Sequence, residues 1–169
     1  MTPRYYRTHT LGGSAANAIG DFTLRSELAY ATRRRLIAAA PQDADGVIDS
    51  REASAVLGLD WMGLTDTIVS TALRELGGSL RGAATRDRVE WDVTQLVERS
   101  FRNETLTLRG QLIHDVNAGD GLLRASLSYD YRADLVLRLG TDLFYGRATG
   151  RFGQFDRRDR ITASITQGF

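Results

Sequence analysis

Apolar and polar residues alternate with a period of two along most of this chain. In one segment near the C-terminus, Leu135, Leu137 and Leu139 have one parity, whereas Arg138 and Gly140 have the other. Successive side chains of a β-strand point to opposite faces, so such a segment forms a strand with one apolar and one polar face. Clear segments of this kind also occur at 21–32, 55–62, 105–114, 123–131 and 160–169, and weaker ones at 4–16, 67–75 and 89–101. The sequence therefore predicts roughly nine strands, of the ~10-residue length that crosses a bilayer when tilted.

The links between these strands alternate between short and long. Short links lie at 19–20, 63–65, 102–104 and 133–134, and long polar links at 33–54, 77–88 and 146–159, with a shorter one at 117–121. Outer-membrane barrels have tight turns on one side of the bilayer and longer loops on the other. The pattern predicts an all-β fold, an antiparallel up-and-down transmembrane β-barrel.

The aromatic residues fit two girdles at membrane interfaces, because all nine of those considered lie on the apolar parity of their strands. Large aromatic side chains also mark the core of any sheet, so both interpretations stay open. The group expected at the rim with short links is Phe22, Trp61, Phe101, Tyr129, Tyr131 and Phe169, and the group expected at the other rim is Tyr30, Trp91 and Tyr145.

Composition excludes several classes of protein. The chain has no cysteine, which excludes disulfide frameworks and thiolate sites, and its 22 basic residues nearly balance 21 acidic ones. We therefore predict no nucleic-acid partner, because there is no global basic field. No run of about eighteen apolar residues is present, which excludes a helical membrane protein. The residues after Met1 lack the three regions of a signal peptide, so the chain begins inside a longer product, has a late start or is not exported.

The C-terminal segment resembles a known signature. Residues 160–169 are similar to the ending of Gram-negative outer-membrane β-barrels, a terminal phenylalanine preceded by alternating apolar positions. The segments at 58–66, 101–108 and 152–160 resemble those of large porin-like barrels. The resemblance covers most of residues 20–169 and identifies the chain as the C-terminal part of such a porin-like barrel.

This resemblance implies a location in the cell outer membrane, contact with its lipid, and assembly by the barrel-assembly machinery that reads Phe169. It implies a channel for the passive passage of small solutes, with no enzymatic activity and no cofactor. Residues 1–169 then form a single β-barrel segment, in which 1–20 hold a weakly patterned and truncated N-terminal strand. An open edge would leave backbone groups unpaired in lipid, at several kcal/mol per group. We therefore expect missing N-terminal strands or a homo-oligomeric partner to complete the barrel.

The polar parity predicts the residues that line the pore. Interleaved charges of both signs in a water-filled lumen would screen solutes by charge and size. The alternative is that these side chains only solvate the lumen or pair across strands. The pore-lining candidates are Arg25, Glu27, Asp60, Arg74, Arg109, Arg124, Asp130, Arg138, Asp142 and Arg160, together with Glu90, Asp92 and Glu98.

The acidic segment 41–52 resembles an EF-hand calcium loop. Asp43, Asp45, Asp49 and Glu52 take ligand positions of that loop, although its first position holds proline instead of aspartate. Two interpretations stay open: a calcium site, or an acidic external loop without a bound ion.

Three other functions compete with the channel. Residues 24–40 and 51–76 have some helical spacing and would form a helix-turn-helix regulator that binds DNA. An outer-membrane barrel hydrolase would need His9 or His114, the two histidines, beside a serine from a distant strand. A soluble lipocalin-like barrel that holds a ligand is the third.

Overall fold

Nine β-strands pair in chain order as one antiparallel sheet in the computed structural model of the chain, which describes residues 5–37, 46–79 and 88–168. The predicted all-β, antiparallel up-and-down fold is confirmed. The sheet is open: in the described part of the chain, β1 and β9 are its two edges. The strands are β1 (Thr10–Ile19), β2 (Phe22–Ile37), β3 (Val47–Leu64), β4 (Thr67–Ser79), β5 (Val89–Phe101), β6 (Leu106–Asp115), β7 (Asp120–Arg132), β8 (Leu135–Tyr145) and β9 (Arg160–Gln167).

The short links lie where the sequence predicts them, within a residue or two. Gly20 and Asp21 join β1 to β2, and Ala133 and Asp134 join β7 to β8. Gly20 has a φ of 57°, in the left-handed region that a residue without Cβ enters at no steric cost. The long link at 146–159 is confirmed, and it contains a 3₁₀ turn at Gly153–Phe155.

The predicted link at 33–54 is much shorter than expected. Strand β2 continues to Ile37 and β3 begins at Val47, so most of that segment forms a ladder in which Arg34 faces Ser50. Arg33 forms an ion pair with Asp49 in this ladder. Arg34 forms another with Glu52, with 3.3 Å between Nε of the arginine and Oε1 of the glutamate. Charged residues form strands here because each arginine has an acidic partner across the ladder.

The two predicted helices of a DNA-binding regulator are not formed. The described residues of 24–40 lie in β2, and those of 51–76 lie in β3 and β4, apart from the turn between these strands. Helical spacing of a few apolar residues does not outweigh the cross-strand pairing that joins β2, β3 and β4 over their whole length. No helix of the described residues is long and apolar enough to span a membrane.

The burial of side chains is inverted relative to a soluble domain. Leu139 is 55% exposed and Leu57 is 56% exposed, whereas Asp142 is 5% exposed and Asp120 is fully buried. In a soluble domain leucines are among the most buried residues and aspartates among the least. The enclosed side of this sheet is its polar side.

Candidate functional site: the polar face of the sheet

The pairing register places the predicted pore-lining residues on one face. One row of directly opposite residues runs across the sheet from Asp60 on β3, through Arg124 on β7 and Asp142 on β8, to Arg160 on β9. Residues that differ from this row by an even number along each strand share the face. Arg25, Glu27, Arg74, Glu90, Asp92, Glu98, Arg109, Asp130 and Arg138 all do so.

Asp142 is the centre of a charged triad at the edge of this face. Its Oδ1 accepts a hydrogen bond from Nε of Arg124 at 2.6 Å, and its Oδ2 accepts one from Nε of Arg160 at 2.5 Å. The carboxylate is buried, while the two arginine side chains are 48% and 60% exposed. One acidic residue therefore holds two guanidinium groups at the surface of the polar face.

Further ion pairs cross the polar face at other heights. Arg25 contacts Asp60 at 2.8 Å, and the Ser70 hydroxyl donates to the same carboxylate at 2.5 Å. Arg109 lies 3.6 Å from Glu98 on the neighbouring strand. Each of these contacts joins adjacent strands, so the charged groups contribute to strand pairing as well as making the face polar.

The long link at 146–159 folds onto the end of the polar face. Arg151 from this link contacts Asp92 of β5 at 2.7 Å and Asp115 of β6 at 2.9 Å. Arg74 approaches the same Asp92 at 3.4 Å. Burial lowers the pKa of Arg151, but its hydrogen bonds to Asp115 and Asp92 outweigh that effect and raise the pKa above its ordinary value. Arg151 is therefore a fixed positive charge at this end of the face.

The side chain of Asp120 anchors the same link by binding the backbone of that link. The Oδ2 of Asp120 accepts hydrogen bonds from the backbone N–H of Phe152 at 2.6 Å and of Gly153 at 3.0 Å. Gly150 packs against this carboxylate so closely that a Cβ there would overlap it. The other oxygen, Oδ1, is buried and has no hydrogen-bond partner among the residues that the structure describes. Asp120 and Arg151 together hold the link over β5 to β7.

A cleft of about 670 Å³ lies on the polar face between β5 and β9. Its charged lining consists of four arginines, Arg109, Arg124, Arg138 and Arg160, and of three acidic residues, Glu98, Asp130 and Asp142. Ser126, Ser128 and Thr162 add hydroxyl groups. Gly140 leaves its floor open, since a Cβ at that position would lie 2.9 Å from the Thr162 hydroxyl.

Aromatic residues lie on the opposite, apolar face. Phe22 stacks on Trp61 with ring centroids 6.4 Å apart, and Tyr129 meets Tyr131 edge-on at 6.2 Å, all beside the short links. Phe101 ends β5 at the same rim, while Tyr30, Trp91 and Tyr145 lie toward the long links. The two predicted groups therefore occupy two ends of the sheet, although Phe169 lies outside the described residues.

The calcium candidates do not converge in the part of the segment that is described. Asp49 and Glu52 lie in β3, three residues apart, and therefore on opposite faces of the strand. Asp49 pairs with Arg33 and Glu52 with Arg34, and the hydrogen bond from Arg33 lowers the pKa of Asp49 below its ordinary value. Asp43 and Asp45 lie outside the described residues. Within 5–37, 46–79 and 88–168, no three acidic or histidine side chains form a metal site, and calcium binding stays a prediction.

Of the two histidines that a hydrolase could use, His9 lies just before β1 and His114 lies on the apolar face. His114 is opposite Gly121, and its Nδ1 shares a hydrogen bond with the Tyr145 hydroxyl at 2.9 Å. The rings of His114 and Tyr145 are also stacked, 5.9 Å apart. The hydrogen-bond partner of His114 is thus a phenol, and the imidazole lies on the opposite face of the sheet from the charged row.

No protein-family profile matches the chain, and no curated protein sequence matches it. Two solved structures are similar to it, the KdgM porin and the KdgM porin in complex with disordered oligogalacturonate. Each is 12% identical, with a TM-score of 0.43, and the similarity covers 96% of this chain and 96% of theirs. Both of these structures are porins.

Proposed function

We propose that this chain forms all or part of a porin-like channel in the outer membrane, for the passive passage of small polar solutes. The observation that carries the proposal is the inverted burial of the sheet. Carboxylates such as Asp142 are enclosed, whereas leucines such as Leu139 are exposed. In water this arrangement would leave much apolar surface hydrated; in a bilayer, lipid covers that surface and water fills the polar side.

Strand length supports the same environment. β6 has 10 residues and β8 has 11, the number with which a tilted strand crosses the hydrocarbon core. Each leucine transferred from water to hydrocarbon stabilises the inserted sheet by up to about 2 kcal/mol. β2 and β3 have 16 and 18 residues, so their charged ladder around Arg33 and Asp49 extends beyond such a core.

The polar face favours a channel over an enzyme. Its charged groups are distributed over strands β2 to β9 and pair with each other, as at Arg25 and Asp60. Solutes would pass along a face with charges of both signs, narrowed at one end by Arg151. Outer-membrane lipid, the barrel-assembly machinery and further strands, from missing N-terminal sequence or a homo-oligomer, are the partners that this function requires.

Reconstitution tests the proposal. The purified chain is refolded into detergent and then into lipid vesicles, its circular dichroism is recorded, and single-channel currents are measured in planar bilayers. We expect a β spectrum together with discrete conductance steps. A β spectrum in lipid without any current would contradict a channel formed by this chain alone or by its homo-oligomer. A chain that stays folded in water without detergent would contradict the membrane location.

A further inference from the structure

The apolar face of β1 to β3 contains a groove of about 760 Å³. Two rows of directly opposite residues line it, Leu11, Tyr30 and Ala53 in one row and Gly13, Leu28 and Ala55 in the other. Because strand pairing keeps opposite residues on one face, these rows share the face of Leu57 and Trp61. The side chains of Gly13, Ala53 and Ala55 are small, so the space beside Leu28 and Tyr30 is left open.

The groove is suited to an acyl chain. In the proposed membrane location it faces hydrocarbon, and its opposite rows consist of aliphatic and aromatic residues and glycine. Paired strands lie beside one another, about 4.8 Å apart. A further strand that pairs with β1 would therefore extend the sheet and leave the groove uncovered. The natural occupant of such a groove is a lipid.

Arg51 lies beyond the end of the groove that is nearer to the long links. It precedes Ala53 by two residues on β3, so it shares the face of Ala53 and lies about 7 Å farther along the strand. Since 61 and 51 differ by ten, Arg51 is ten residues from Trp61, and a tilted strand crosses the hydrocarbon core in about 9–11 residues. With Trp61 at one interface, Arg51 is at the level of the lipid head groups at the other.

Two further arginines lie beside Arg51. Arg35 is directly opposite Asp49, which is two residues from Arg51, and Nε of Arg33 donates to Oδ2 of Asp49 at 2.9 Å. One carboxylate is thus shared by two partly exposed guanidinium groups. The Cζ of Arg35 also lies 4.8 Å from the centre of the Tyr6 ring. Three arginines and one aspartate leave this cluster with a charge of +2, the difference of three and one.

We propose that this region binds one phosphate-bearing lipid, with an acyl chain in the groove and the phosphate at Arg33, Arg35 and Arg51. The inference rests on the proposed membrane location and does not depend on conductance. Guanidinium groups bind phosphate oxygens in a bidentate manner, and basic residues at the membrane surface attract anionic head groups. The groove and the arginine cluster are adjacent along β3, so a single lipid molecule reaches both.

Phosphatidic acid, which has a phosphate monoester and two acyl chains, is the probe. The chain is refolded in detergent, and binding is measured by native mass spectrometry over a range of lipid concentrations. We expect one tightly bound molecule per chain. Arg51→Gln should weaken this binding about tenfold, because it removes a charge-assisted hydrogen bond. Arg99→Gln is the matched control, since Arg99 is an exposed arginine of the same face, beside Phe101 at the other interface, and it should leave the binding unchanged.

The groove is tested separately. Ala53→Phe should also weaken the binding about tenfold, because the phenyl ring takes the place of buried acyl carbons. Ala125→Phe is the matched control, since Ala125 is on the apolar face of β7, away from the groove. It should leave the binding unchanged.

Two partial ligands show whether both halves of the lipid are recognised. Diacylglycerol, which has no phosphate, and inorganic phosphate, which has no acyl chain, should each bind at least about tenfold more weakly than phosphatidic acid. If either partial ligand bound as tightly as phosphatidic acid, the proposed lipid site would be overturned.

The remaining outcomes separate the lipid site from the membrane location. A β-folded protein in detergent that binds no phosphatidic acid would overturn the lipid site and leave the membrane location standing. Binding that is unchanged in Arg51→Gln or in Ala53→Phe would do the same. A chain that stays folded in water without detergent would overturn the membrane location, and the lipid site with it.

Discussion

Two buried carboxylates organise the polar face at the level of single residues. Asp142 bridges two arginines within the sheet, while Asp120 accepts hydrogen bonds from the backbone of a distant link. A buried carboxylate is destabilising unless it is paired. Asp142 is paired with arginine side chains, and Asp120 is paired with backbone N–H groups. The arginines of the cleft depend on the first of them for their position.

Asp142→Asn should lower the free energy of unfolding by about 1–2 kcal/mol, since two charge-assisted hydrogen bonds weaken and the arginines that lose their partner are half-exposed. Urea titration of the protein in vesicles measures this change. Asp130→Asn is the matched control on the same face, because Asp130 is exposed and makes no ion pair in the described structure. An equal effect of the two substitutions would contradict the role of Asp142.

The alternation of residue types along the strands predicted part of this charged face. The period of two was sufficient to assign Arg124, Asp142 and Arg160 to one face, since strand pairing preserves parity. It could not predict Arg151, which lies in a link and contacts Asp92 and Asp115, 59 and 36 residues away along the chain. A contact of that kind depends on how the link folds, and no local pattern encodes it.

The link at 146–159 is the element that covers one end of the polar face. Its Arg151 pairs with Asp92 and Asp115, and its backbone donates hydrogen bonds to Asp120. Its Phe155 packs against Phe144 with ring centroids 5.6 Å apart. The long links of outer-membrane barrels lie on one side of the bilayer, so this one would act at an entrance of the channel.

Arg151→Gln should release this link, because it removes the ion pairs with Asp92 and Asp115. Trypsin cleavage after Arg157 or Arg158 of the refolded protein should become about tenfold faster, and the mean conductance should rise. Arg147→Gln, which removes a charge from the same link, is the control and should change neither quantity. A cleavage rate in Arg151→Gln equal to that of the wild type would show that the ion pairs do not hold the link.

The strands differ in how well the sequence predicts their ends. β5 has the predicted bounds, although its alternation is among the weaker ones in the chain. β2 and β3 extend well into the predicted link at 33–54. The run of arginines at Arg33 has the composition of a loop, but it forms a strand because it pairs across the ladder with Asp49. Cross-strand pairing between distant residues is what single-strand alternation cannot indicate.

The alternation of apolar and polar residues also determines at which positions of a strand a charged side chain is tolerated. Leu139→Arg should destabilise the protein in vesicles by about 2–4 kcal/mol, because Leu139 would face the middle of the bilayer. Thr94→Arg, in the middle of β5 on the polar face, is the matched control and should cost far less. Urea titration compares the two. If the sheet were a water-soluble surface, arginine at the 55% exposed Leu139 would change stability by less than about 0.5 kcal/mol.

In the whole molecule, the directions of the two edge strands limit how the sheet can close into a barrel. β1 and β9 are separated by an even number of antiparallel steps, so they run in the same direction. Direct closure would create a parallel seam, whereas barrels of a single bacterial chain have an even number of antiparallel strands. An odd number of further strands, from additional sequence or a partner chain, would close the barrel without such a seam.

Disulfide formation tests this view of the edges. Ser14→Cys on β1 with Ser164→Cys on β9 should form no intramolecular disulfide after oxidation in vesicles, because the two edges are not expected to be neighbours. Ala125→Cys with Thr141→Cys, which lie directly opposite each other on β7 and β8, is the positive control. Efficient cross-linking of positions 14 and 164 would show that nine strands close on themselves.

Lipid should contact the apolar face of the sheet, and water should contact its polar face. Because the chain has no cysteine, single cysteines at Ala125, Ser126, Leu127 and Ser128 on β7 can report on both faces. Each variant is refolded into vesicles and treated with a water-soluble, membrane-impermeant thiol reagent and, separately, with a lipid-soluble one. We expect aqueous labelling at 126 and 128 and lipid-phase labelling at 125 and 127. Aqueous labelling at 125 and 127 with protection at 126 and 128, or equal labelling at all four, would contradict it.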